Sequence, residues 1–120
     1  MARSLGEFEQ LLLLAVLSLG KDAYGARVRQ EIEEGTGKSV SAGAVYTGLD
    51  RLQARGLVSS RLGNATPSRG GRRKKYYSLE PLGADSLNNS LENLSRMSRG
   101  LEGKLRDLIP EPGSAEGKVS

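Results

Sequence analysis

Apolar residues recur with helical spacing in the amino-terminal third of the chain. Residues 5–19 become apolar on almost every side in their second half, so they predict a helix that is buried on most faces. Residues 24–34 carry an apolar residue at every fourth position, which predicts a second helix with one buried face. Asp22 is the expected N-cap of this second helix, because its carboxylate can accept hydrogen bonds from first-turn amides.

A third helix is predicted to follow one short strand at residues 38–40 and to end near Ala54, with Ser41 as its N-cap. At 100° per residue, its apolar positions fall on one side and its small or polar positions on the other. The apolar side holds Ala42, Val45, Leu49 and Leu52, and the other side holds Gly43, Thr47, Asp50, Arg51 and Ala54. We therefore expect a helix with a large core face and a small outer face.

Two strand-like runs, residues 57–62 and 74–79, flank a segment of turn residues and predict an antiparallel hairpin. Alternation along the second run places Tyr76 and Tyr77 on opposite faces, so one ring is expected in the core and the other outside. The alternation leaves open which of the two rings is buried.

A carboxyl-terminal helix is predicted from Pro81, a residue that favours the first turn of a helix. Leucine recurs there every seven residues, a spacing typical of a helix that pairs with another helix. These leucines are Leu87, Leu94, Leu101 and Leu108.

The composition excludes several kinds of catalytic and metal-binding site. The chain has 120 residues, no Cys and no His, which excludes thiol catalysis, disulfides and Cys/His zinc sites. We expect no cofactor, no metal and no enzymatic activity. The apolar run at residues 11–19 is too short to span a bilayer, and Glu7 and Glu9 stand where a signal peptide would be basic, so we expect a cytoplasmic protein without membrane contact.

Positive charge is concentrated in the middle of the chain. Residues 38–77 hold nine Lys or Arg against one acid, a net charge of +8, although the whole chain has only +4. Five of these cations lie at the hairpin tip, namely Arg69, Arg72, Arg73, Lys74 and Lys75. Gly70 and Gly71 lie among them and allow the backbone to follow a groove wall. This distribution favours a polyanion as partner over a merely solvated loop.

Three helices followed by a hairpin is the order of a winged helix-turn-helix. Residues 5–87 closely resemble the PadR family of bacterial transcriptional regulators. The resemblance is carried by residues 5–11 (LGEFEQL), 23–25 (AYG), 43–47 (GAVYT), 49–52 (LDRL), 56–58 (GLV) and 70–79 (GGRRKKYYSL). It implies a mainly helical fold with a small hairpin, and a homodimer that binds double-stranded operator DNA, usually as a repressor. Some such proteins are released by a small hydrophobic effector.

Three parts are then expected: a winged helix-turn-helix domain at residues 1–79, a dimerisation helix at 80–109 and a flexible tail at 110–120. The predicted DNA-binding residues are Ser41, Ala42, Gly43, Tyr46, Thr47, Arg51, Arg69, Gly70, Gly71, Arg72, Arg73, Lys74, Lys75 and Tyr76. The predicted dimer interface comprises Phe8, Leu12, Leu87, Leu91, Leu94, Met97, Leu101 and Leu105.

Two alternatives stay open. The ring of Tyr46 can contact a phosphate through its hydroxyl or pack back on the core. The same basic segment would also suit a winged module that binds RNA or an acidic protein surface instead of duplex DNA.

Overall fold

The computed structural model of the chain describes residues 4–64 and 73–111. Its helices and strands are α1 (Glu7–Leu19), α2 (Gly25–Thr36), α3 (Ala42–Ala54), β1 (Val58–Leu62), β2 (Lys75–Leu79), α4 (Pro81–Ser98) and α5 (Glu102–Leu108). A 3-10 turn, Gly20–Asp22, joins α1 to α2. The chain divides into two compact units, one ending at Ser90 and the other beginning at Leu91.

The core of the first unit lies where α1, α2 and α3 meet. Its fully buried side chains include Leu12, Leu13, Val28, Val45, Leu49 and Leu52, each with 0% exposure. Burying a side chain of this size contributes about 1.5–3 kcal/mol to folding. Leu12 and Leu87, which is 3% exposed, therefore belong to the core of a single chain. Their place at a dimer interface stays a prediction.

Helices α1 and α3 approach closely at Gly48. A Cβ atom on Gly48 would lie 2.5 Å from Leu12 Cδ1 and 3.5 Å from Phe8 Cε2, so a larger residue would require the buried Leu12 side chain to move. An ion pair between Arg55 Nη1 and Glu9 Oε2, at 3.1 Å and largely shielded from solvent, joins the end of α3 to the start of α1. These contacts fix the direction of α3.

Side chains of α2 hold the turn that leads into α3. Arg29 Nε donates a hydrogen bond of 2.8 Å to the Val40 carbonyl oxygen, and the Val40 amide donates one of 2.9 Å to Glu33 Oε2. Gly37, with φ of 72°, ends α2 in the left-handed conformation. Residues 38–40 form no strand, contrary to the prediction, because Val40 already bonds through both backbone groups to side chains of α2.

Strand β2 pairs on both of its edges. It runs antiparallel to β1, with Val58 opposite Leu79 and Ser60 opposite Tyr77. On the other edge, Tyr24 forms an isolated bridge with Tyr76, and the Tyr77 amide donates a hydrogen bond of 2.8 Å to the Ala23 carbonyl oxygen. We call β1, β2 and the segment joining them the wing.

The pairing with β2 also explains why the predicted N-cap of α2 is wrong. Tyr24 is the N-cap, with extended backbone at φ −106° and ψ 161° and no side-chain capping bond. Asp22 lies two residues earlier, in the 3-10 turn, where its carbonyl oxygen accepts a hydrogen bond from the Tyr24 amide. The bridge to Tyr76 requires an extended residue 24, so α2 begins one residue later.

The carboxyl-terminal segment is two helices instead of the single predicted one. Gly100 adopts φ of 79°, a conformation that ends a helix, and α5 starts at Glu102. Within the second unit, residues 91–111 are all exposed, and their apolar members are Leu91, Leu94, Met97, Leu101, Leu105, Leu108 and Ile109. No helix in the described part of the chain is long and apolar enough to cross a membrane.

We expect Gly83→Ala to lower the free energy of unfolding by about 1–3 kcal/mol, as overpacking does. Gly83 is buried in the first turn of α4, where a Cβ atom would clash with the Leu57 carbonyl oxygen and lie 2.9 Å from its carbonyl carbon. Gly35→Ala, in α2, is the matched control: nothing lies within 4 Å of its Cβ position. It should raise stability by about 0.5–1 kcal/mol. Urea unfolding followed by circular dichroism measures both, and equal stabilities would contradict the close approach at Gly83.

Candidate nucleic-acid interface

The outer face of α3 is open to solvent. Ser41 is its N-cap, as predicted, and Ser41 Oγ accepts a hydrogen bond of 3.0 Å from the Ala44 amide. Thr47 and Asp50 are exposed, and nothing lies within 4 Å of the position that a Gly43 Cβ atom would take. Arg51, on the same face, is also exposed. Ala42 is exposed too, although helical spacing placed it on the apolar side. The short residues Gly43, Thr47 and Asp50 allow a partner surface to come close to the helix axis.

Tyr46 lies at the edge of this face and is 47% exposed. Its ring packs over the backbone at the start of α2, where a Cβ atom on Gly25 would lie 2.5 Å from Tyr46 Cζ and 2.7 Å from its Oη. The ring therefore packs against the protein while nearly half of its surface faces solvent. Contact of its hydroxyl with a phosphate stays a prediction.

The cations at the base of the wing are held by backbone and ring contacts. Arg73 Nε donates a hydrogen bond of 2.7 Å to the Gly63 carbonyl oxygen, and the Gly63 amide donates one of 2.7 Å to the Lys74 carbonyl oxygen. Lys74 Nζ lies 3.9 Å from the centroid of the Tyr24 ring. Lys75 is exposed at the start of β2. The other predicted wing residues, Arg69, Gly70, Gly71 and Arg72, lie outside the described residues.

The two neighbouring tyrosines of β2 take different environments. Tyr77 is 2% exposed and belongs to the core, whereas Tyr76 is half-buried on the opposite face of the strand. The Tyr76 ring meets the Tyr24 ring edge to face at 5.5 Å, and the Arg61 guanidinium lies 4.7 Å from the Tyr76 centroid. Alternation left open which of the two rings is buried. The structure shows that it is Tyr77, and that Tyr76 lies on the side of the cations.

A cleft of about 390 Å³ separates the start of α2, the edge of α3 and the wing. It is lined by Tyr24, Gly25, Ala26, Tyr46, Arg73, Lys74 and Lys75. Four of these residues, Tyr46 and the three cations, were predicted from the sequence as DNA-binding residues. The sequence reasoning missed the three from α2 and its N-cap, although residues 23–25 were part of the recognised motif. Three cations and two phenol rings at one opening suit an anionic partner.

The pKa of the buried Tyr77 phenol is shifted in the folded chain. Burial is the largest cause that raises the pKa of Tyr77 above its ordinary value of 10.0, and the charges of Asp50 and Tyr46 raise it further. The folded chain therefore favours the neutral form of this phenol.

Most of the residues predicted for a dimer interface are exposed in the second unit. Leu91 is 38% exposed, Leu94 58%, Met97 78%, Leu101 41% and Leu105 57%. Phe8 is partly buried against the core of the first unit, and Leu12 and Leu87 are buried in it. A row of apolar side chains this exposed is unusual on a chain that stays alone in water.

Residues 13–89 match the sequence profile of the Transcriptional regulator PadR-like family. No curated protein sequence gives a match. The match begins within α1 and covers α2, α3 and the wing, including every described residue of the cleft.

Solved structures of regulators share the fold. A PadR-like transcriptional regulator from Bacillus cereus aligns with a TM-score of 0.66 at 22% identity, over 82% of this chain and 90% of that one. A PadR family transcription regulator from Clostridium difficile gives 0.64 at 25% identity, over 82% and 98%. One from Eggerthella lenta gives 0.63 at 24%, over 86% and 88%. The predicted fold class, mainly helical with a small hairpin in a winged helix arrangement, is confirmed.

We expect the stability of the wild-type chain to fall more steeply above about pH 10 than that of Tyr77→Phe. The folded chain holds the Tyr77 proton more tightly than the unfolded chain, because the folded pKa is raised. The stabilisation is therefore complete below the unfolded pKa and is lost as the pH rises through the folded pKa. Urea unfolding of both proteins at a series of pH values measures the difference. Parallel curves for the two proteins would contradict the raised pKa.

Proposed function

Because this chain belongs to the PadR-like family of transcriptional regulators, we propose that it is a homodimeric repressor that binds an inverted-repeat operator through α3 and the wing. The chain is a DNA-binding transcriptional regulator. Members of this family regulate transcription and are not enzymes. The single observation that carries the finer proposal is the cleft, which brings Tyr46 of α3 and three cations of the wing to one side of the first unit.

The two parts of the interface have different tasks in this proposal. The exposed face of α3 carries Gly43 and Thr47, which are small enough to let the helix enter a major groove and approach base edges. The wing carries Arg73, Lys74 and Lys75, whose charges suit the phosphates beside that groove. Sequence preference then comes from the nearly uncharged helix, and most of the affinity comes from the wing.

The exposed apolar residues of the second unit support the proposed dimerisation. A helix that carries Leu91, Leu94 and Met97 in water gains free energy by pairing with an identical helix. Two-fold symmetry of the protein would require two half-sites related by inversion, with centres roughly one helical turn, about 34 Å, apart. Release by a small hydrophobic effector stays a prediction drawn from the family resemblance.

We expect Arg73→Ala to weaken binding to the operator and to mixed-sequence duplex alike, by roughly tenfold, because phosphate contacts carry no sequence information. The operator would be isolated by selection from a random duplex library with the wild-type protein. With about four phosphates neutralised per subunit, the logarithmic slope of affinity against salt should be near −7 for the wild type. The Arg73→Ala dimer removes one contact per subunit, so the slope should become shallower by about two.

Thr47→Ala and Lys104→Ala are the matched controls for that experiment. The first should change the preferred operator sequence with little effect on mixed-sequence duplex, and the second removes an exposed cation of α5, outside the proposed interface. A salt slope near zero would overturn the electrostatic part of the proposal. Tighter binding of RNA or single strands than of duplex would favour the RNA-binding alternative.

We expect Leu94→Glu to convert the dimer into a monomer and to weaken operator binding strongly, because it places a charge in the proposed interface. Asn89→Glu is the matched control, since it adds the same charge to an exposed position on another face of α4. Sedimentation equilibrium measures the mass of each variant. The same dimeric mass for both would show that the dimer is held elsewhere, and a monomeric wild type would refute dimerisation.

A further inference from the structure

We infer that Tyr24 and Gly25, at the corner where β2 meets α2, are positioning residues that orient Tyr46 of α3 and Lys74 of the wing for DNA. Neither residue was predicted as a DNA contact. The inference rests on the proposed function, and it adds a physical link between the two parts of the interface. Gly25 supports the Tyr46 ring of α3, and its neighbour Tyr24 supports the Lys74 ammonium group of the wing.

Gly25 supports Tyr46. It is buried in the first turn of α2, and the three atoms nearest to its Cβ position are Cε1, Cζ and Oη of the Tyr46 ring. The ring therefore occupies the space that any larger residue would fill. Because these atoms form the far end of an exposed side chain, a methyl group here would rotate the ring away without disturbing the core. Glycine at this position keeps the Tyr46 hydroxyl at the opening of the cleft.

Tyr24 supports Lys74. The ammonium group of Lys74 lies 3.9 Å from the Tyr24 ring centroid, well inside the range of a cation–π contact. The Tyr24 ring is itself fixed by its edge-to-face contact with Tyr76, which carries the Arg61 guanidinium at 4.7 Å. Two cations thus lie on either side of a pair of contacting rings. A lysine held in this way loses less side-chain entropy on meeting a phosphate than a free one does.

Backbone pairing keeps the two supports in register. The bridge between Tyr24 and Tyr76, with the hydrogen bond from the Tyr77 amide to the Ala23 carbonyl oxygen, attaches the wing directly to the residue that starts α2. A shift of the wing along this edge would move Lys74 and Tyr46 apart. The corner therefore sets the spacing between the group offered by α3 and the cation offered by the wing.

The first test is Gly25→Ala measured on the full-length chain with the selected operator duplex. We expect affinity to fall by roughly tenfold, the loss of one charge-assisted hydrogen bond to phosphate, while the unfolding midpoint stays close to that of the wild type. Gly35→Ala in the same helix is the matched control and should bind as the wild type does. In a Tyr46→Ala background, Gly25→Ala should have no further effect, because its only consequence is to displace that ring.

The second test concerns Tyr24. Tyr24→Leu removes the ring and should weaken binding by about threefold, whereas Tyr24→Phe keeps the ring and should restore most of that loss. In a Lys74→Met background the Leu and Phe variants should bind alike. If Gly25→Ala proves too unstable to measure, this series decides the inference alone.

The outcomes separate the inference from the proposed function. If the wild-type chain selects no duplex, the proposed function fails and the inference fails with it. If the wild type binds and Gly25→Ala binds equally well, only the inference is overturned. An equal loss in the presence and absence of Tyr46 would also overturn it, since that result indicates a general structural effect of residue 25.

Discussion

Packing of the inner face of α3 against α1 is the constraint on which the rest of the first unit depends. Val45, Leu49 and Leu52 are fully buried, and Gly48 allows the two helices to approach. Rotating α3 about its axis would expose these side chains at a cost of about 1.5–3 kcal/mol each. The outer face, from Gly43 onward, is therefore presented to solvent by the core itself. A helix fixed in this way can offer short side chains to a partner without loss of rigidity.

Strand β2 extends this constraint to the charged part of the molecule. It pairs with β1 on one edge and with Tyr24 on the other, so the wing is bonded to the start of α2 as well as to its own hairpin. The cations at its base then lie beside aromatic rings: Lys74 over Tyr24 and Arg61 over Tyr76. Because Tyr24 and Lys74 line the same cleft as Tyr46, a basic surface lies next to the outer face of α3. Backbone hydrogen bonds attach the cationic wing to the start of α2, on which the Tyr46 ring of α3 rests.

Much of the fold was predictable from local pattern. The three helices of the first unit begin and end within two residues of the predicted bounds, since helical spacing of apolar residues is a strong signal. The errors occur where another part of the chain competes for the backbone. Residues 38–40 form no strand because α2 side chains bond to Val40, and Asp22 is no N-cap because Tyr24 pairs with β2. The helix breaks at Gly100, which adopts a positive φ of 79°. The prediction of a single helix gave more weight to the sevenfold leucine spacing than to this glycine.

The sequence by itself determined the order of the elements, the small outer face of α3, the Ser41 cap and the placement of the cations in the hairpin, because each depends on near neighbours in the chain. Only the tertiary structure decided which tyrosine of β2 is buried, that Tyr46 rests on Gly25, and that Leu12 belongs to a single chain's core. Those outcomes depend on which surfaces meet when distant segments pack, and periodicity identifies an apolar face without identifying the surface that covers it.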